Sequence, residues 1–234
     1  MSPKEHPYRP EIDGLRMIAV VAVVLYHFGM PGLSGGFAGV DVFFVISGYL
    51  IGGILWRETR ATGRISLARF YIRRVKRLAP AFFAMTLAAS VIAWLVLLPF
   101  EFREYGKSLI AATVYLSNVL FFRGAGYFDT AAETKVLLHT WSLSVEEQFY
   151  IFLPLALLLL ARWPRVFVGT LWLCFAVSLV ASVWFTPSHQ TATFYLFPFR
   201  AWELLAGVLL AIWSYGRAPF RAGAWISWLG LGLV

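Results

Sequence analysis

Long apolar runs alternate with short polar segments along this chain, and the lengths of the runs define its elements. Leu78 to Phe100 carries no charged residue, and Val166 to Phe199 holds His189 as its only acidic or basic side chain. A run of about 20 apolar residues crosses a hydrocarbon core about 30 Å thick as a helix. The pattern predicts spans near Leu15–Met30, Phe37–Trp56 and Leu78–Pro99, a weaker segment at Ser108–Phe122, and further spans near Val145–Ala161, Val166–Phe185 and Phe194–Trp213. Trp225–Val234 begins another, but ten residues reach only about 15 Å as a helix. The expectation is an all-α, polytopic transmembrane helical bundle with about seven to eight apolar segments. It forms one membrane domain over residues 1–234, incomplete at its C-terminal end, with residues 1–11 as a cytoplasmic tail. A membrane β-barrel would alternate polar and apolar residues over short segments, and these runs do not.

Composition agrees with that class. Hydrophobic residues make up 60% and charged residues 14%, against about 25% charged in soluble domains, and mean hydropathy is +0.73. The net charge of +8 would suit nucleic acid, but its placement does not. Eight basic residues and one acid, Glu58, lie between Arg57 and Arg77, separating two apolar runs. Cytoplasmic loops carry such an excess, so this block sets a cytoplasmic N-terminus. No cleavable signal peptide is evident, and the single cysteine, Cys174, excludes a disulfide within the chain. Trp56, Trp163, Tyr195, Trp213 and Trp225 recur near predicted span ends, as interfacial belts do. If Ser108–Phe122 spans fully, Arg162 and Arg165 fall outside, against the charge rule. If it is re-entrant, they and Arg217/Arg221 fall inside, and the charge bias favours this arrangement.

Several polar positions interrupt the apolar pattern. Arg16 and His27 lie eleven residues apart, about 1100° on a helix, so they share one face. Ionisable groups within membrane helices are costly and usually functional. Asp41 follows Gly35, Gly36 and Gly39 at the start of the second span. A hairpin would put it at His27's end and depth, either fixing the imidazole's tautomer as in a general-base pair or capping its helix. Arg69, Arg73, Lys76 and Arg77 recur at helical spacing and suit phosphate groups or anionic lipid headgroups equally. In His139-Thr-Trp-Ser-Leu-Ser-Val-Glu-Glu147, Ser144-x-x-Glu147 reads as a capping box. That leaves Glu146 as the better intramembrane candidate. Under the re-entrant arrangement the motif lies on the outer side; a fully spanning segment would put it on the arginine-rich face. Arg200 and Glu203 can pair one turn apart. No metal-ligand cluster is apparent.

Tyr8-Arg-Pro-Glu-Ile-Asp-Gly-Leu-Arg16, His27, the Gly35–Ile51 stretch, Phe70-Tyr-Ile-Arg-Arg74 and His139–Tyr150, in that order, closely resemble the bacterial membrane acyltransferase-3 family. The resemblance covers nearly the whole chain. It implies an O-acyltransferase, typically an O-acetyltransferase of cell-surface polysaccharides such as lipopolysaccharide O-antigen or peptidoglycan. The opening is most similar to the subgroup fused to an SGNH-type extracytoplasmic domain. The family's Arg and His of the first helix fall on Arg16 and His27. Its Arg-x-x-Arg element falls on Arg74 and Arg77, with Arg73 beside them, and its Ser-x-x-x-Glu element on Ser142 and Glu146. Members have about ten spans, more than this chain holds.

Both readings converge on one expectation. A cytoplasmic acyl-CoA, most simply acetyl-CoA, is the co-substrate, with no bound cofactor, metal or nucleic acid. Its phosphates dock on Arg73, Arg74 and Arg77, and the acyl chain passes Arg16. His27 serves as general base or carries the acyl group, with Asp41 and Glu146 as catalytic partners. His139, Trp141, Ser142 and Glu147 bind the lipid-linked or surface glycan acceptor or pack the bundle. The alternative is a transporter or flippase in which His27, Asp41 and Glu146 relay protons.

Overall fold

The computed structural model describes residues 10–32, 34–125 and 134–217. Among them the regular structure is entirely helical. The α-helices are α1 (Pro10–His27), α2 (Gly39–Thr62), α3 (Leu67–Val96), α4 (Pro99–Thr113), α5 (Ser117–Gly124), α6 (Thr140–Leu160), α7 (Pro164–Phe185), α8 (Gln190–Tyr195) and α9 (Phe197–Ser214). A 3-10 turn, Gly36–Ala38, leads into α2. Among the described residues five helices are long and apolar enough to cross a membrane: the Gly36–Thr62 segment, α3, α6, α7 and α9. The chain is a multi-pass membrane protein. Trp225–Val234 lies outside the described residues.

The chain divides into two compact units, Met1–Ile54 with Glu203–Val234, and Leu55–Trp202. In the first, glycines set how the helices meet. A Cβ at Gly36 would strike the Ala22 carbonyl and Tyr26, and one at Gly39 the Ala19 carbonyl and Val23. These contacts make α1 and α2 antiparallel. A Cβ at Gly48 would strike the Leu204 carbonyl, and one at Gly207 the Val45 carbonyl, so α2 and α9 pack backbone to backbone. Gly52 against Val208 continues that seam, with numbers rising together in a parallel pair. Small residues permit such close approach where lipid supplies little hydrophobic drive between helices.

In the second unit α3 starts within the basic block, eleven residues before the uncharged run begins. Ser66 caps it by accepting from the Arg69 amide at 3.4 Å, and the Glu58 carboxylate accepts from the Ser66 amide at 3.3 Å. A helical N-cap and good helix-formers carry the helix on through Arg73 and Lys76. The hydroxyl of Tyr71 donates to the Tyr150 carbonyl at 3.0 Å. At the other end of α3, Ala93 shares a buried cluster with Tyr105 and Leu137. α3 and α6 therefore run antiparallel. The last turn of α6 (Leu157, Leu158, Ala161) faces Gly63–Ile65 of the basic loop. Phe167 at the start of α7 stacks on Trp56 at 5.7 Å. Arg162 and Arg165 thus lie at the end that holds the Arg57–Arg77 block.

The Ser108–Phe122 segment forms no single helix. It is divided between α4 and α5 by Val114–Leu116, where Tyr115 adopts φ 56°. At about 1.5 Å per residue the arms reach roughly 22 and 12 Å, neither enough to span. Tyr105 of α4 meets Thr86 and Ser90 near the far end of α3. The turn reaches Gln148, and Ser117 then meets Ser144, one turn earlier in α6. The two arms form a hairpin entering from the end of the unit opposite the basic block. Alternation of long apolar runs made this segment look like a weak span; the polar Tyr115, Ser117 and Asn118 in its middle were the signal for a break.

Candidate functional site

His27 ends α1, and its side chain is exposed. Nδ1 lies 2.8 Å from the Val23 carbonyl oxygen. A carbonyl only accepts, so Nδ1 carries a proton, and in the neutral ring Nε2 holds the free lone pair. The backbone thus fixes the tautomer that Asp41 was expected to fix. Tyr26 packs edge-on against the ring at 5.4 Å. Asp41 sits elsewhere. With Gly36 opposite Ala22 and Tyr26, and Gly39 opposite Ala19 and Val23, Asp41 falls opposite residues near position 19. That is about two turns, on the order of 12 Å, from His27. The expectation that Asp41 lies within a few residues' depth of His27 fails because the 3-10 turn takes the chain down before α2 begins. Arg16 lies 5.2 Å over the Phe43 ring, in the same half of the hairpin as Asp41, and 3.9 Å from the Asp13 carboxylate. Arg16 and His27 both lie on α1.

The second cluster is built by α3, α6 and the α4–α5 turn. Arg74 donates Nε to Glu147 Oε1 at 2.7 Å, and Nη2 lies 2.6 Å from the same oxygen. The two side chains are only 14% and 10% exposed. The guanidinium carbon sits 3.5 Å over the Tyr150 ring, combining an ion pair with cation–π contact. Breaking a buried pair of this kind from one side costs about 3–5 kcal/mol. One residue on, Gln148 donates Nε2 to the Tyr115 carbonyl at 3.0 Å and to Asn118 Oδ1 at 2.9 Å. Asn118 donates to the Tyr195 carbonyl at 3.1 Å. Ser144 and Ser117 hydroxyls meet at 2.7 Å. The Tyr115 phenol is raised above its ordinary value, first by burial and then by the Glu147 carboxylate, with Arg74 opposing. It stays protonated at neutral pH.

This arrangement corrects two expectations. α6 starts at Thr140 with His139 as N-cap, so Ser144 lies inside the helix and no capping box with Glu147 forms. Glu147 instead is the carboxylate that meets an arginine. Glu146 is buried beside it, and its charge acts on the same guanidinium. The choice between an outer motif and one on the arginine-rich face also dissolves. Arg74 reaches in from the basic end of α3 while Glu147 lies two turns into α6 from the opposite end, so a hairpin and this pair coexist.

The remaining motif residues separate. Arg73 and Arg77 are exposed while Arg74 turns inward. Trp141 is buried against the Phe194 and Tyr195 rings, at 4.6 and 5.7 Å. Ser142 donates to the His139 carbonyl at 3.1 Å, and His139 is exposed. Arg200 stacks over Trp141 and Phe194 and donates to the Phe194 carbonyl. Sequence reasoning passed over Tyr71, Tyr115, Tyr150, Asn118 and Gln148, because tyrosines and amides near span ends are ordinary interfacial residues. Among the described residues no group of three or more His, Cys, Asp or Glu side chains could hold a metal ion.

Residues 9–234 match the family described as Acyltransferase domain, the acyltransferase-3 family. The chain belongs to this family. It is 37% identical over 217 residues to the peptidoglycan O-acetyltransferase OatA of Listeria monocytogenes, covering 90% of this chain and 35% of that protein. It is 39% identical over 213 residues to the O-acetyltransferase OatA of Staphylococcus aureus strain NCTC 8325, covering 88% and 35%. The chain spans about a third of the length of the curated relatives it matches. No solved structure matches it. Arg16 and His27 lie on α1, and Arg74 and Arg77 in the first three turns of α3.

Proposed function

We propose that this acyltransferase-3 chain moves an acyl group, acetyl in the simplest case, from a cytoplasmic acyl-CoA to a hydroxyl of a cell-surface glycan. Its setting is the bacterial inner membrane, with the N-terminus cytoplasmic. Identity of 37% with a relative named as a peptidoglycan O-acetyltransferase favours peptidoglycan over lipopolysaccharide as the acceptor class. The observation that carries the mechanism is the His27 ring. With Nδ1–H donated to the Val23 carbonyl, Nε2 is left to take a proton from an acceptor hydroxyl, or to attack the thioester and hold the acyl group. In the second case the Nε2–acyl bond forms as the carbon–sulfur bond breaks. The thiolate leaves with the coenzyme, and the acceptor hydroxyl then displaces the imidazole. Two steps of this kind suit a donor and acceptor on opposite sides of a bilayer. Exposed Arg73 and Arg77 present forked donors to the coenzyme phosphates, and Arg16 shares α1 with His27.

The test is the full-length protein in liposomes with radiolabelled acetyl-CoA and peptidoglycan fragments as acceptor. Label in an alkali-labile ester on the glycan is the expected result. Acetyl-CoA that stays intact while a solute crosses the bilayer would instead favour the transporter.

A further inference from the structure

Arg73, Arg74 and Arg77, three of the four arginines of α3, are not equivalent. Arg73 and Arg77 face outward, whereas Arg74 gives both Nε and Nη2 to one buried carboxylate oxygen and lies flat on Tyr150. Two of its five N–H donors are so engaged, and drawing the guanidinium away to a phosphate would strand Glu147 without its counter-charge in low dielectric. The Glu147 it holds belongs to a face of α6 that also carries Ser144 and Gln148, at i−3 and i+1. Those two side chains grip the α4–α5 turn at Ser117 and at the Tyr115 carbonyl. The turn carries a non-glycine residue at φ 56°, a conformation that persists only where the surroundings enforce it. Irregular backbone between two short arms needs partners when no water is at hand. Gln148 and Asn118 supply them in a reciprocal amide pair.

We propose that Arg74 is a positioning residue rather than a phosphate ligand: through Glu147 it locks α6 to α3 and so sets the place of the Tyr115 turn. The donor phosphates are left to Arg73 and Arg77. The inference rests on the acyl-transfer reading for its kinetic consequences, and on the ion pair alone for its structural ones.

The experiment measures acetyl-CoA KM and kcat, coenzyme A affinity and thermal stability for the full-length protein and its Arg74→Ala, Glu147→Gln, Arg74→Ala/Glu147→Gln and Arg77→Ala variants. Arg74→Ala should lower kcat about tenfold or more with KM and coenzyme A affinity within about threefold. Glu147→Gln should reproduce that split, and the double variant should be no worse than either single one, since partners in one contact are non-additive. Arg77→Ala should do the reverse, raising KM while sparing kcat. A tenfold or greater loss of coenzyme A affinity in Arg74→Ala, with none in Glu147→Gln, would overturn the proposal. So would additive losses in the double variant. If Arg74→Ala is too unstable to assay, Glu147→Gln and Arg74→Lys decide: a phosphate role predicts that Lys preserves KM and that Gln tightens coenzyme A binding. If the wild-type protein binds no coenzyme A at all, the donor reading fails instead. The ion-pair claim is then read from the stability cycle alone, where additivity overturns it.

Discussion

At the scale of single residues, the account turns on which atom of each polar side chain is committed. His27 commits Nδ1 to its own helix and leaves Nε2 for chemistry. His27→Ala should therefore reduce transfer by about 10²- to 10⁴-fold, the usual range for a lost acid–base group. Size-exclusion profile and melting temperature should stay near wild type, because the exposed ring contributes little packing. Substantial turnover by such a variant, measured as initial rates of ester formation, would remove His27 from the mechanism. Arg16 and His27 were legible as polar interruptions of an apolar run, and the arginines as one basic block. The Asp41 offset was not, since the sequence shows that a hairpin forms but not how many residues its turn consumes. Glu147 was misassigned for a related reason: Ser-x-x-Glu spacing describes a cap only when the helix starts at the serine, and α6 starts four residues earlier.

At the scale of helices, close glycine contacts and amide pairs decide which pairings hold. Gly48 sits against the Leu204 backbone, so Gly48→Ala forces a shift in a tightly packed seam. It should lower stability by about 1–3 kcal/mol. Gly106, in the interior of α4, meets nothing within 4 Å of a built Cβ. Gly106→Ala should instead raise stability by about 0.5–1 kcal/mol by removing backbone freedom from the unfolded chain. Thermal melts of the two variants in one detergent check the contrast in sign. Gln148→Leu strands the Tyr115 carbonyl and Asn118 and should cost about 1–3 kcal/mol per buried group left unmade. A protease-sensitivity gain confined to the α4–α5 segment is its expected signature. Apolar run length gave the long helices to within a few residues at most ends. It missed the first eleven residues of α3, whose charge hid a helix that Ser66 caps, and it merged α4 with α5.

At the scale of the whole chain, both chain order and charge argue for sidedness. Arg57–Arg77, the α6 end at Ala161 and Phe167 near the α7 start lie together at one end of their unit, the end that the proposed topology puts on the cytoplasmic side. A Cys174→Ser background with single cysteines at position 64 or 165 should react with a membrane-impermeant maleimide only when the cytoplasmic face is open. A cysteine at Ser188, beyond α7, should react from the other face. All-helical architecture and several crossings could be read from hydropathy. Charge bias favoured a re-entrant Ser108–Phe122 segment, which the α4–α5 hairpin bears out; the contacts that hold α4, α5 and α8 could not be read, because they come from partners far along the chain, as Asn118 on Tyr195 does.

The central claim is transfer across the bilayer, and one measurement reaches it most directly. The full-length protein is placed in liposomes of defined orientation, with radiolabelled acetyl-CoA supplied only to the Arg57–Arg77 face and the glycan acceptor only to the opposite face. The account predicts labelled ester on the glycan in that arrangement, none when donor and acceptor are exchanged, and none with His27→Ala. Equal labelling from a donor supplied to either face, or labelling that persists without His27, would contradict it.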